Sequence, residues 1–142
     1  MAVQPVEARV YAKVVVIIAT DMDIIEARRE ARRVAVDLGF RGSEPTLIAT
    51  AVSELARNIL VYAKSGSLTI DRIVRGPRTG LAIAAHDQGP GIVDVDLAMQ
   101  DGYSTTKSLG IGLPGARRLL DEFEVRSQVG VGTTVNGVKW LP

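Results

Sequence analysis

Val and Ile recur among polar residues from Glu7 to Ile18, after a loose start at residues 1–6, and this predicts a strand. Thr20 or Asp21 can cap a helix that runs to about Leu38, where Gly39 ends it. Ile24, Ile25, Val34 and Leu38 form its apolar stripe, while Arg28, Arg29, Arg32 and Arg33 populate the other faces. That density of arginine fits a solvated face or a partner-docking surface. Ser43 caps a second helix with Pro45 in its first turn. Leu47, Ile48, Ala51, Val52, Leu55 and Ile59 recur at helical spacing, and the helix reaches about Tyr62. After a turn at Ser65–Gly66, Leu68 to Val74 and Leu81 to Ala85 read as a hairpin around Gly76 to Gly80.

Beyond Asp87 the pattern changes. Gln88–Gly89–Pro90–Gly91 opens a loop, and the chain stays polar and rich in Gly, Ser and Thr as far as Gly110. Val95 to Met99 is a short helical possibility within it. Leu113 to Phe123 predicts a third helix, with Pro114 in its first turn. Glu124 to Ser127 and Thr133 to Trp140 are final strands around the turn Gln128 to Gly132. Strands joined mostly by hairpins, with helices in separate runs, predict an α/β (α+β) two-layer sandwich. Its mixed β-sheet is expected to be covered on one face by helices.

The length of 142 residues suits a single domain over 1–142, and 46% apolar with 23% charged residues is a globular balance. The chain has no Cys, which excludes disulfides, zinc–thiolate sites and thiol catalysis. A single His, His86, excludes a two-His metal site, and at a strand end it reads as a core or turn residue. The net charge of +1 points to no nucleic-acid partner. The apolar run Val14 to Ala19 is too short to cross a bilayer. The reading is therefore a soluble, cytoplasmic protein with no membrane partner.

Three segments carry chemistry. Glu54 and Asn58 are four residues apart on the second helix and share one face. A carboxylate and a carboxamide there suit Mg²⁺, or the carboxylate can take a proton from an attacking hydroxyl. An ordinary exposed Glu with a helical Asn is the plain alternative. Asp87–Gln88–Gly89–Pro90–Gly91–Ile92 stands at a strand end. Its glycines let backbone approach a ligand, and the Asp can accept a hydrogen bond from an exocyclic amine such as that of adenine. A tight turn after a strand would use the same residues. Asp101 to Gly115 is a hydroxyl- and glycine-rich stretch running into a helix, whose free N–H groups make an anion site, with Lys107 a possible cation near phosphate. It matches neither the Walker A spacing nor the dinucleotide fingerprint. Gly130–Val131–Gly132–Thr133 adds a hydroxyl between the last strands.

Together and in this order, these segments resemble the GHKL ATPase superfamily over roughly Asp21 to Leu141. Glu54 and Asn58 resemble its N box, Asp87 to Gly91 its G1 box, Gly110 to Gly112 its G2 box, and Gly132–Thr133 its closing Gly–Thr. Ser53 to Ile59, Asp87 to Ile92, Asp101 to Thr105, Leu113 to Gly115 and Val138 to Leu141 are similar to the RsbT-type switch-protein serine/threonine kinases within it. The resemblance implies a Bergerat-type ATP-binding fold and an ATP- and Mg²⁺-dependent protein kinase. It implies phosphorylation of STAS-domain partners of the RsbS and RsbR types in the bacterial stressosome. It implies that the released kinase activates an RsbU-type phosphatase through that protein's N-terminal domain, and it leaves room for a homodimer.

Carried to this chain, Asn58 holds Mg²⁺ and Glu54 acts as the base or orients it. Asp87 takes the adenine amine, with Gly89, Gly91, Ile92 and Thr133 around the nucleotide. Lys107 and the amides around Gly110, Ile111, Gly112 and Leu113 face the phosphates. The segment from Thr106 to Gly110 departs from the family in being shorter than the long lids elsewhere in it. The competing reading is a nucleotide-gated binding protein resembling the anti-sigma factors of the same superfamily.

Overall fold

A computed structural model of the protein describes residues 13–100 and 112–142. The first part of the strand expected from Glu7, and the positions Lys107, Gly110 and Ile111, lie outside the described residues. In chain order the elements are β1 (Val14–Ile18), α1 (Asp21–Leu38), α2 (Glu44–Ala63), β2 (Gly66–Arg75), β3 (Arg78–Asp87), α3 (Val95–Ala98), α4 (Gly112–Leu119), β4 (Glu122–Gln128) and β5 (Gly132–Trp140).

Local chemistry sets the helix ends. At the start of α1, the Asp23 carboxylate reaches back to the amides of Ala19 and Thr20, each at 2.9 Å. These two hydrogen bonds hold the Asp23 carboxyl below the usual carboxylate range. At its end, Gly39 takes a φ of 108°, and the Phe40 amide bonds back to the Ala35 carbonyl at 3.0 Å. Ser43 precedes α2 as expected but makes no side-chain capping bond, and Pro45 opens the helix.

The strands form one five-stranded sheet in the order β1–β2–β3–β5–β4. The expected mixed sheet is corrected here: every neighbouring pair is antiparallel. The sequence of connections explains why. Strands β3 and β4 run in the same sense, but β5 hydrogen-bonds between them and separates the parallel pair. Strands β1 and β3 are likewise separated by β2. The β2–β3 turn is also tighter than expected. Arg75 pairs with Arg78, and Gly76–Pro77 alone makes the bend.

The helices cover one face of the sheet. Leu68 and Ile70 of β2 and Leu81 and Ile83 of β3 meet Ile48, Val52 and Leu55 of α2 in a continuous core. The buried seam of α1 is Ala27, Ala31, Val34 and Ala35, small residues that let α1 lie close to α2. Ile25, expected on that stripe, is 50% exposed because it sits one position away from Ile24, about 100° around the helix. Helix α4 ends at Leu119 rather than Phe123. The Asp121 amide bonds to the Val138 carbonyl at 2.8 Å, and Phe123 pairs with Gly137, so β5 captures this stretch as strand. On the open face, Arg75 and Arg78 lie over the Trp140 ring. His86 is exposed there, with its Nδ1 2.8 Å from Thr134 Oγ1. No helix among the described residues is long and apolar enough to cross a membrane.

Candidate functional site

Glu54 and Asn58 lie one turn apart on α2, on the side that meets α4 and the end of β3. Glu54 is 4% exposed, and a carboxylate taken that far from water needs donors. It has two. Arg57 Nη1, one turn along the same helix, donates to Glu54 Oε2. The backbone amide of Gly112, the first residue of α4, donates to Glu54 Oε1 at 3.0 Å. The carboxylate therefore joins α2 to α4 directly.

The other half of the site is built on the end of the sheet. Asp87 closes β3, flanked in register by Gly66 of β2 and Thr133 of β5. Its Oδ1 accepts the Gly89 amide at 2.9 Å, which folds the chain into the following loop. No described residue donates to the second oxygen. Gly91 stands at a φ of 81°, and a Cβ there would lie 2.5 Å from the Gln128 carbonyl. Gly132 stands at 149°, and a Cβ there would lie 2.1 Å from the Asp87 carbonyl. These glycines let the loop after β3 and the β4–β5 turn close on each other.

Hydrogen bonds then fix that approach. The Gly130 amide donates to the Pro90 carbonyl at 2.8 Å. The Ile92 amide donates to Ser127 Oγ at 2.6 Å, and Ser127 Oγ is 2.8 Å from Thr133 Oγ1. The Ser127 hydroxyl also lies 3.3 Å from the Gly132 carbonyl. Reading along the chain singles out Thr133 but misses Ser127. The signal was in the hairpin register: with the turn centred on Gly130, Ser127 falls directly opposite Thr133.

Between the two halves lies a cavity of about 450 Å³. Leu55 and Ile59 of α2 and Ala85 and Val135 of the sheet line it on one side. Ile92, Val93, Leu97, Ala98 and Leu113 line the other. Asn58, Asp87, Asp94 and Thr133 are hydrogen-bonding side chains placed among these, and Tyr62 lines the cavity with them. An apolar slot with a few convergent polar groups at this volume suits a flat heterocycle and part of what it carries. Asp94 caps α3 through the Leu97 amide at 3.0 Å, so its placement has a structural reason too.

The expected site residues are thus brought together unevenly. Asn58, Asp87, Gly91, Ile92, Leu113 and Thr133 line the cavity. Gly89 supports Asp87 and lies against Ala63. Glu54 is not among the residues lining the cavity and faces the start of α4 instead. The Gly112 amide, expected to face phosphate, is bonded to Glu54. No described group of three or more His, Cys, Asp or Glu residues is arranged to hold a metal.

Comparison with known proteins shows the family and the fold. The model of the histidine kinase-like ATPase domain matches residues 17–139. The chain is 48% identical over 124 residues to the serine/threonine-protein kinase RsbT of Bacillus subtilis (strain 168), covering 87% of this chain and 93% of that protein. It is 34% identical over 100 residues to an anti-sigma F factor of Thermoanaerobacter sp. (strain X514), covering 66% of this chain and 68% of that one. Among solved structures, the RsbU and RsbW domains of Rv1364c from Mycobacterium tuberculosis superpose with a TM-score of 0.64 at 17% identity. That match covers 92% of this chain and 33% of the other, and it shows a shared fold.

Proposed function

The chain belongs to the histidine kinase-like ATPase domain family, among the RsbT-type serine/threonine-protein kinases, and from that premise we propose that it transfers the γ-phosphoryl group of ATP to a Ser or Thr of a STAS-domain protein. The partners are of the RsbS and RsbR types in a cytoplasmic stressosome, and the released kinase activates an RsbU-type phosphatase. The observation that carries the reading is the apolar cavity with Asp87 and Thr133 at its sheet end and Asn58 on α2.

In this reading the adenine enters the slot between Ile59, Val135 and Ile92. Its exocyclic amine donates to the Asp87 oxygen that Gly89 does not use. The triphosphate runs toward the N-terminus of α4. Asn58 is a hard oxygen donor on the cavity wall, and this donor set fits Mg²⁺, which takes one or two protein oxygens alongside phosphate and water. When bound, the ion neutralises charge on the phosphate oxygens.

The partner's hydroxyl oxygen attacks the γ-phosphorus, and the bond from that phosphorus to the β–γ bridging oxygen breaks. ADP leaves, and the hydroxyl proton passes to Glu54. Among the described residues each Glu54 oxygen accepts one hydrogen bond, which leaves it a second acceptor site for that proton.

Transfer of labelled γ-phosphate to a purified STAS-domain partner tests the proposal. Wild type should transfer, and Glu54→Gln, Asn58→Asp and Asp87→Asn should not while remaining folded. The second reading is a nucleotide-gated binding protein, favoured by the likeness to anti-sigma F factors. ATP binding without transfer to any STAS partner, and capture of a sigma factor, would establish it instead.

A further inference from the structure

We propose that Arg57 is a positioning residue for the phosphoryl-transfer step: its guanidinium holds the Glu54 carboxylate in one orientation from one turn along α2. This rests on the role given to Glu54 under the kinase reading. Sequence alone leaves Arg57 divided between site and packing; its contacts decide.

Other glutamate–arginine pairs of the same i,i+3 spacing occur on α1, and they show what an ordinary surface pair looks like here. In Glu26–Arg29 and Glu30–Arg33 the carboxylate side chains are 46% and 26% exposed, so water solvates them with or without the arginine. The Glu54 side chain is 4% exposed while Arg57 is 35% exposed. The carboxylate is the buried partner, and it depends on its donors.

Those donors divide the work. The Gly112 amide engages Oε1 alone, and a carboxylate held at one oxygen can still rotate about that contact. Arg57 engages Oε2, and two donors on two oxygens fix the plane of the group. Arg57 also supplies the positive charge that a backbone amide lacks, which a buried carboxylate requires. Arg57 itself is not among the residues lining the cavity. Its hydrogen-bond partner is Glu54, so its influence on the reaction passes through that carboxylate.

The test compares Arg57→Gln, Arg57→Lys, Glu54→Gln and the double variant Glu54→Gln/Arg57→Gln in the full chain. Steady-state transfer to a STAS-domain partner is measured together with the ¹⁵N–¹H resonance of Gly112. Arg57→Gln should lower kcat about 100-fold, the scale of a displaced catalytic group, with KM for ATP unchanged. Arg57→Lys keeps the charge but not the planar fork and should recover part of the loss. In the Glu54→Gln background, Arg57→Gln should add nothing. The Gly112 resonance should move in Arg57→Gln and return toward wild type in Arg57→Lys.

Wild-type kcat in Arg57→Gln, or full additivity in the double variant, would overturn the assignment. If wild type transferred no phosphate, the kinase reading would fall, and the Gly112 resonance would still decide the positioning role. An unmoved signal in Arg57→Gln would refute it.

Discussion

Ser127→Ala removes one hydroxyl at the meeting point of three strand-end segments. The hydroxyl accepts the Ile92 amide at 2.6 Å and lies 2.8 Å from Thr133 Oγ1. Each lost hydrogen bond is worth about 0.5–1.5 kcal/mol net, so the pair contributes about 1–3 kcal/mol. Part of this falls on stability, because the loop after β3 is tied to the β4–β5 hairpin through it. The rest falls on ligand affinity, because the Thr133 hydroxyl loses its fixed direction at the cavity wall. A loss of about 1.4 kcal/mol from binding weakens Kd for ATP tenfold. Calorimetric titration of ATP–Mg²⁺ should be run with thermal unfolding, alongside Thr133→Val and the double variant. If Ser127 acts on affinity by orienting Thr133, the second substitution costs little affinity once the first is made. Losses in affinity that add fully, or an unchanged Kd in Ser127→Ala, would refute the reasoning.

Gly91→Ala should weaken both folding and ATP binding, since the residue stands at positive φ with the Gln128 carbonyl where a Cβ would go; strain alone costs about 1–2 kcal/mol, read by chemical denaturation. Ile83→Ala opens a void under the helices and should cost about 2–5 kcal/mol in the same assay, with transfer activity per folded molecule kept. Asp23 has its carboxyl held below the ordinary range by the Ala19 and Thr20 amides, so its capping contribution is complete above that range and is lost as pH falls through the lowered value. Asp23→Asn should therefore be less stable than wild type at pH 7, and the gap should close below about pH 4; a gap that persists in acid would exclude this origin.

The two long helices and the hairpins could be read in advance because their signals are local. Gly39 closes α1, Pro45 opens α2, and Gly76–Pro77 admits little but a tight bend. The α1 stripe was legible at Ile24, Val34 and Leu38, which pack on the core, but Ile25 turns outward, and the alanines at 27, 31 and 35 that complete the seam draw no attention in the sequence. The end of α4 could not be found locally, since the competitor for Asp121 is the Val138 carbonyl on a strand still to come. The same limit governs the site. Asp87 and Thr133 carry their chemistry in their own neighbourhoods, but Ser127 matters only through its register partner. Glu54 was identifiable by type and spacing, yet its burial and its bond to Gly112 depend on a contact across 58 positions of chain.

These two groups of contacts make the site separable. At the sheet end, the Asp87–Gly89 hydrogen bond and the hydrogen bonds among Ile92, Ser127 and Thr133 form one set, joined by the strand register of Asp87 with Thr133. At the helix end, Glu54, Arg57 and Gly112 form another. No residue belongs to both, so a change in one set leaves the partners of the other in place. Under the proposed kinase reading, the first set bears on how firmly adenine is held, and the second on the carboxylate that meets the hydroxyl. Ser127→Ala should accordingly raise KM for ATP with little change in kcat, and Arg57→Gln should do the reverse. Combined, their effects on kcat/KM should multiply, because independent sites add in free energy to within about 0.5 kcal/mol. A combined variant that departs from the product by tenfold would show that the sheet end and the helix end move as one unit, and the division drawn from these hydrogen bonds would be wrong.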